Sequence, residues 1–277
     1  MRQQREQTLR YIRERRCTSG GYCFYRLDEP NAADTFYALD SFRLLGEPVR
    51  EDPDTIHYLH SFQHDDGSYQ NVFVGAAVIR ALHLLGERPQ ADPSEWIGGA
   101  LSPDQKNRPV ESVSGFEEYM LAAECCRVLM IEVPEVLKEQ VVSGTLRYRN
   151  KDGGFGNESP TLIETFHAVF ALAGIGYDMK DLVCPAFLAS CEDLVFGFLA
   201  VPGARPGFLE HVHAGLSLCV LLGYSPRFPD ACEGFIRRCH RENGGYCRSL
   251  YGGSATLEHT WRALECHAIL RRLEGNN

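Results

Sequence analysis

Lys151-Asp152-Gly153-Gly154-Phe155 is a glycine turn ending in an aromatic residue, and Glu164-Thr165-Phe166-His167-Ala168 then opens an apolar helical run that stops near Gly176. The pattern recurs along the chain, most clearly at Gly20-Gly21-Tyr22 and Gly244-Gly245-Tyr246. The residues that we take as equivalent are Asp34, Val74, Glu118, Glu164, Glu210 and Glu258. Subtracting consecutive numbers gives steps of 40, 44, 46, 46 and 48 residues. A period in this range indicates an array of similar units, each burying its apolar face against its neighbours.

The segments between the glycine turns carry apolar residues at helical spacing and show no sustained alternation, so strands are not expected. Prolines such as Pro53, Pro134 and Pro229 stand where one helix ends and the next begins. We therefore predict an all-α fold for residues 1–277, a single α/α toroid of six helical hairpins forming a closed double ring. An open superhelix is the alternative to closure. The hairpins are expected at about 1–46, 51–86, 92–132, 135–176, 180–223 and 227–273.

Composition narrows the class of protein. The 277 residues are 44% hydrophobic and 23% charged, as in ordinary globular proteins. A net charge of −9 argues against nucleic acid or an anionic membrane as the main partner. The arginine-rich N-terminus has no apolar core, so neither a signal peptide nor a membrane span is expected.

Cysteine usage points to a cytoplasmic protein. The eleven cysteines are an odd number in a long chain, so we expect reduced thiols that pack in the core. No Cys-x-x-Cys pair occurs, which argues against a structural zinc site at the cluster Cys232, Cys239, His240 and Cys247.

The turn and the helix that follows it resemble the repeat of protein prenyltransferase β subunits and of squalene and related terpene cyclases. The closest copies are 151–170 and 241–260, and the resemblance spans essentially the whole chain. It implies an α/α toroid whose inner helices begin around one mouth of a central, aromatic-lined cavity that holds an isoprenoid chain. The fold hosts several chemistries, so activity must be read from the site.

Two activities found on this fold can be compared with the motifs. The cyclases that begin by protonating an alkene resemble one another in an Asp-x-Asp-Asp acid, which this chain lacks. The protein prenyltransferases hold zinc with an Asp-x-Cys pair and a histidine. The matching positions are Glu210-His211-Val212 and Glu258-His259-Thr260, where the acid and the His-Thr are similar but the cysteine is missing. A prenyltransferase-like transferase is therefore favoured over a cyclase, with the zinc of that family in question.

The residues themselves also suggest a metal site. Glu-x-x-His places a carboxylate and an imidazole on one helix face, and facing helices hold divalent metals in this way. The chain has this pair twice, and the inner helix of the last repeat offers Glu258 and His259. We hypothesise a divalent metal, possibly zinc, bound by Glu164, His167, Glu210, His213 and His259. The structural alternative is that acids such as Glu164, three residues after Thr161, cap their helices.

Loop arginines and aromatic residues complete the predicted site. Arginine suits phosphate oxygens because its planar fork donates two hydrogen bonds. We expect an isoprenoid diphosphate, or another apolar ligand, to contact Arg108, Arg205, Arg248, Tyr37, Phe166 and Trp261. Phe36, Phe73 and Phe170 are expected in the same wall. A non-catalytic toroid that binds a lipid or a protein is the second hypothesis, and association with a partner subunit or as a homodimer stays open.

Overall fold

The computed structural model describes residues 2–25, 28–49, 52–102, 115–182 and 184–275. Arg108, one of the predicted ligand contacts, lies outside these ranges. Helices at odd positions in the chain are α1 (Arg2–Arg13), α3 (Pro53–His60), α5 (Ser94–Leu101), α7 (Glu135–Leu146), α9 (Pro185–Ser190) and α11 (Pro229–Cys239). Helices at even positions are α2 (Ala32–Leu44), α4 (Val72–Leu84), α6 (Phe116–Leu129), α8 (Leu162–Gly174), α10 (Leu209–Leu222) and α12 (Leu257–Gly275). In these ranges no helix is long and apolar enough to cross a membrane.

The even-numbered helices form a closed inner ring. Each of them packs against the next even-numbered helix, and α12 packs against α2. The odd-numbered helices lie outside them, α3 against α4, α5 against α6 and α11 against α12. The prediction of an α/α toroid is therefore confirmed, and the open superhelix is excluded.

The glycine turns join the outer helices to one another. Gly244 has φ +91°, and a Cβ atom there would lie 2.3 Å from the backbone oxygen of Gln7 in α1. Thr8 donates a hydrogen bond of 2.8 Å to the Gly244 carbonyl. The turn of the last repeat is thus packed on the first helix, which closes the outer ring. Gly20 makes the equivalent close approach to the start of α3.

A buried threonine ties each clear glycine turn to its inner helix. The hydroxyl of Thr165 accepts a hydrogen bond of 2.9 Å from the Phe155 backbone N–H and donates one of 2.7 Å to the Thr161 carbonyl. Thr35 and Thr260 make the same pair of bonds in the first and last repeats. Because the threonines are buried, water cannot replace these bonds.

The structure contains one short hairpin that was not predicted from the sequence, and it confirms the prediction about the cysteines. Strands β1 (Glu192–Asp193) and β2 (Gly197–Phe198) pair as a short hairpin between α9 and α10, whereas no strand was predicted. Two-residue strands are too short to show alternation in a sequence. The cysteine prediction is confirmed, since all eleven thiols are free and buried.

The threonine bond can be tested with a matched pair of substitutions. Thr165→Val should lower the free energy of unfolding by about 1–3 kcal/mol, because the buried Phe155 N–H loses its acceptor. Thr145 is also fully buried, but its hydroxyl has no hydrogen-bond partner among the described residues. Thr145→Val should therefore leave stability unchanged or raise it. Urea unfolding measures both, and equal effects would contradict the role given to Thr165.

Candidate functional site

The inner ring encloses a cavity of about 390 Å³. Its wall extends from Glu117, the second residue of α6, to Arg127 near the end of that helix. All six inner helices contribute side chains, so the cavity exists only because the ring closes. Its size is within the range of pockets that bind small organic ligands.

Four inner helices contribute a ring at their fifth or sixth residue to what we call the aromatic layer, which comprises Tyr37, Phe166, His213 and Trp261. Trp261 of α12 lies at its centre, with ring centroids 5.1 Å from Tyr37 and 5.2 Å from His213. Phe166 of α8 lies 5.8 Å from His213 and 4.6 Å from Phe170. The layer thus presents aromatic faces on one side of the cavity. Tyr37, Phe166, Phe170 and Trp261 line it as predicted, whereas Phe36 packs behind Arg80 and Phe73 is 47% exposed.

The next turn of the inner helices is polar. We call the ninth residues of the six inner helices the ninth-residue layer, which comprises Asp40, Arg80, Glu124, Phe170, Ser217 and Glu265. Asp40 accepts a hydrogen bond of 2.8 Å from the Trp261 indole and pairs with Arg43. The other five residues line the cavity. This layer was not predicted from the sequence, although a polar residue at the same position in successive apolar helices could have revealed it.

His213 links the two layers. Arg262 has only donors, so the 3.2 Å contact of its Nη1 with His213 Nδ1 means that Nδ1 accepts. The ring proton is therefore on Nε2, which donates to Glu265 Oε2 at 2.5 Å. Burial alone would raise the pKa of Glu265, but His213, Arg80 and Arg262 outweigh it and hold the pKa below its ordinary value. Glu265 is thus an anion within the cavity wall.

Of the two histidines that line the cavity, His167 has fewer polar contacts than His213. Its Nε2 lies 4.0 Å from Glu117 Oε1, beyond hydrogen-bond distance, and the described residues give it no closer polar partner. Burial, together with the positive charge of Arg262, lowers the pKa of His167 to about 4. Its imidazole is therefore neutral near pH 7 and faces the cavity with free nitrogen atoms.

The five predicted metal ligands are dispersed among other partners. Glu164 accepts from the Thr161 hydroxyl at 2.8 Å, within the predicted capping box. Glu210 pairs with Arg248, and His259 Nδ1 lies 2.7 Å from the Thr256 hydroxyl. In the described ranges no three His, Cys, Asp or Glu side chains are grouped so that they could hold a metal ion. The arrangement does not fit a bound metal as it stands, and we derive no step from one.

The two predicted arginines that the structure describes also have carboxylate partners. Arg205 bonds Asp193 in β1, with Nη2 and Oδ2 2.7 Å apart. Arg248 bonds Glu210 at 2.7 Å and lies over the Phe208 ring, 4.3 Å from its centroid. Their side chains remain 58% and 56% exposed. Both are therefore accessible from solvent, outside the aromatic layer.

The shifted pKa of His167 predicts a pH dependence of stability. The unfolded chain binds a proton there near pH 6.5, whereas the folded protein does so only near pH 4. Folding is therefore opposed increasingly as the pH falls through this window. Between pH 7 and 4.5 the wild type should lose about 2–3 kcal/mol more unfolding free energy than His167→Gln.

Urea unfolding at the two pH values measures this difference. His57→Gln, at an exposed position of α3, is the matched control and should retain the wild-type pH dependence. A His167→Gln variant as acid-sensitive as the wild type would show that this imidazole is not held neutral by the fold.

Comparison with known proteins agrees with this architecture. The family model described as the prenyltransferase alpha-alpha toroid domain matches residues 1–84 and 119–277. No curated protein matches the chain in sequence. Among solved structures, Candida albicans protein geranylgeranyltransferase-I complexed with GGPP superposes with a TM-score of 0.70 at 11% identity, over 96% of this chain and 90% of that one. At this identity the likeness establishes the fold. By its family match, the chain belongs to the prenyltransferase alpha-alpha toroid family.

Proposed function

We propose that this protein is a prenyltransferase-like transferase that holds an isoprenoid diphosphate, with the chain in the central cavity. The aromatic-walled cavity of about 390 Å³ inside the closed ring is the observation that carries the proposal. The similar geranylgeranyltransferase-I structure was solved with GGPP, which supports the same ligand class here. Apolar chain atoms that enter such a cavity leave water and gain contacts with Tyr37, Phe166 and Trp261.

The aromatic layer also suits the chemistry of prenyl transfer. Cleavage of the bond between the prenyl carbon and the diphosphate oxygen leaves positive charge on the carbon, while the diphosphate departs with the electron pair. The faces of Trp261 and Phe166 carry negative potential and would stabilise that developing cation. Neutral His167 adds no opposing charge beside it. An acceptor nucleophile then supplies the electron pair of the new bond to this carbon, which completes the transfer.

For the diphosphate we propose Arg205 and Arg248, with Arg108 as the third arginine predicted from sequence. Both described arginines are exposed enough to meet an anion. Each would have to exchange a carboxylate for phosphate oxygens, which arginine can bind through two hydrogen bonds. Negative charge is also favoured at the N-termini of the inner helices, although Glu164 and Glu210 already occupy two of these first turns.

A non-catalytic, ligand-binding toroid is the second candidate. It is favoured by the capping bond of Glu164 and the ion pair of Glu210, which give these acids structural roles without any chemistry. This candidate shares the cavity and its ligand, so only a turnover assay separates the two.

Ligand binding can be measured directly. Farnesyl or geranylgeranyl diphosphate, at about 100 times its dissociation constant, should raise the melting temperature by roughly 5–10 °C. Ser217→Phe fills the cavity from α10 and should abolish this shift. Phe73→Ala removes an exposed aromatic ring outside the cavity and should leave the shift intact. A shift unaffected by Ser217→Phe would place the ligand elsewhere and contradict the proposal.

Metal binding by Glu164, His167, Glu210, His213 and His259 stays a prediction from sequence. Two buried oxygens, Glu164 Oε1 and Glu210 Oε2, have no hydrogen-bond partner among the described residues. The side chains are not grouped as a metal site in the described ranges, so metal binding would require them to rearrange. Elemental analysis after dialysis against zinc, iron or manganese should then find about one ion per chain, reduced in His167→Ala and His213→Ala. An exposed-site variant, His57→Ala, is the control. Metal-free protein under these conditions would refute the prediction.

A further inference from the structure

The half-buried guanidinium of Arg80 forms no side-chain hydrogen bond of good geometry among the described residues. Its side chain is only 19% exposed and lines the cavity in the ninth-residue layer. The Cζ atom lies 3.7 Å from the centroid of the Phe36 ring, which fixes the plane of the fork. Among the described residues Arg80 forms an ion pair with Glu124, with Nε and Oε1 3.3 Å apart, but no hydrogen bond of good geometry. The two Nη groups of Arg80 therefore have no acceptor among the described side chains, and the residue lines the cavity.

The surroundings of Arg80 indicate which group could use these donors. Glu124 comes from α6 and Glu265 from α12, so two carboxylates share the layer with the guanidinium. An anionic ligand group would face both carboxylates, and a cationic one would face Arg80 and Arg262. A neutral hydroxyl avoids repulsion by either set of charges, because its oxygen can accept a hydrogen bond from Arg80 and its proton can be donated to a carboxylate. A hydroxyl would also give these polar groups a hydrogen-bond partner. A hydrocarbon chain would cover them and leave them without one, which costs free energy.

We propose that the ninth-residue layer binds a hydroxyl group carried on the chain of the ligand, with Arg80 donating to its oxygen and Glu124 accepting its proton. This inference rests on the proposed function, since it concerns the far end of the same chain. It narrows the substrate class to hydroxylated isoprenoid diphosphates. Arg80 and Glu124 are then specificity-determining residues.

The depth of the layer indicates which chain would fit. From the second residue of α6 at Glu117 to the ninth at Glu124 is roughly 10 Å along the helix axis. An extended chain of two isoprene units has a comparable reach. The hydroxyl would then be at the end of the chain remote from the diphosphate.

The test compares geranyl diphosphate with its ω-hydroxylated analogue by isothermal titration calorimetry on the full chain. Wild-type protein should bind the hydroxylated ligand at least about tenfold more tightly, because one additional charge-assisted hydrogen bond is formed. Arg80→Met keeps a similar apolar volume without donors and should remove or reverse this preference. Arg127→Met is the matched control. That arginine also lines the cavity beside Glu124, at 3.8 Å, but is 68% exposed, and its loss should leave the preference intact.

The outcomes separate the two proposals. Equal wild-type affinities for the two ligands would overturn the hydroxyl site and leave the isoprenoid-binding function standing. Binding of neither ligand would overturn the hydroxyl site, and the melting-temperature measurement with farnesyl and geranylgeranyl diphosphate then decides the proposed function separately. A preference that persists in Arg80→Met would also refute the assignment of Arg80. If Arg80→Met does not fold, Arg80→Gln takes its place, and the wild-type comparison remains decisive without any variant.

Discussion

The hydrogen bonds of the buried threonines hold the repeat together. Thr165 joins the glycine turn, through Phe155, to the first turn of its inner helix, and Thr35 and Thr260 do the same in other repeats. Each glycine turn in these repeats also packs on the following outer helix. The direction of one inner helix is thereby coupled to the position of the next hairpin. Repetition of this coupling turns the chain through a full circle, so that α12 reaches α2.

Closure creates an interior that no single repeat possesses. Side chains that would be solvated on an isolated hairpin face one another across the ring, at depths set by the helical rise. Tyr37 and His213 pack against Trp261 in the aromatic layer, and the three rings line the cavity that remains. A central cavity in this family is thus a geometric consequence of six similar helices arranged about one axis.

The polar side chains below the aromatic rings lose hydration when the ring closes, and hydrogen bonds between them offset this free-energy cost. His213 with Glu265, and Asp40 with Trp261, each bring together groups from two different inner helices. Buried ion pairs seldom add much net stability, since desolvation opposes the attraction between the charges. Their persistence inside a cavity is easier to explain by ligand recognition than by stability. The ninth-residue layer differs in this respect from the carboxylates at the helix starts, because those carboxylates also serve as caps.

The sequence by itself determined the repeat, the helical class, the reduced cysteines and most of the aromatic wall, because turn chemistry, helix caps and apolar spacing are local properties. Ring closure, the pairing of Glu210 with Arg248 and the meeting of Arg80 with Glu124 were decided by tertiary structure. These pairs join residues 38 and 44 positions apart, by subtraction, so no local pattern reports them. The two cavity histidines also acquired different positions and partners. His213 is the fifth residue of α10 and bonds Glu265, whereas His167 is the sixth residue of α8 and forms no hydrogen bond with a described residue. The position of a side chain along its helix sets its depth in the ring, and its neighbours across the ring then set its chemistry.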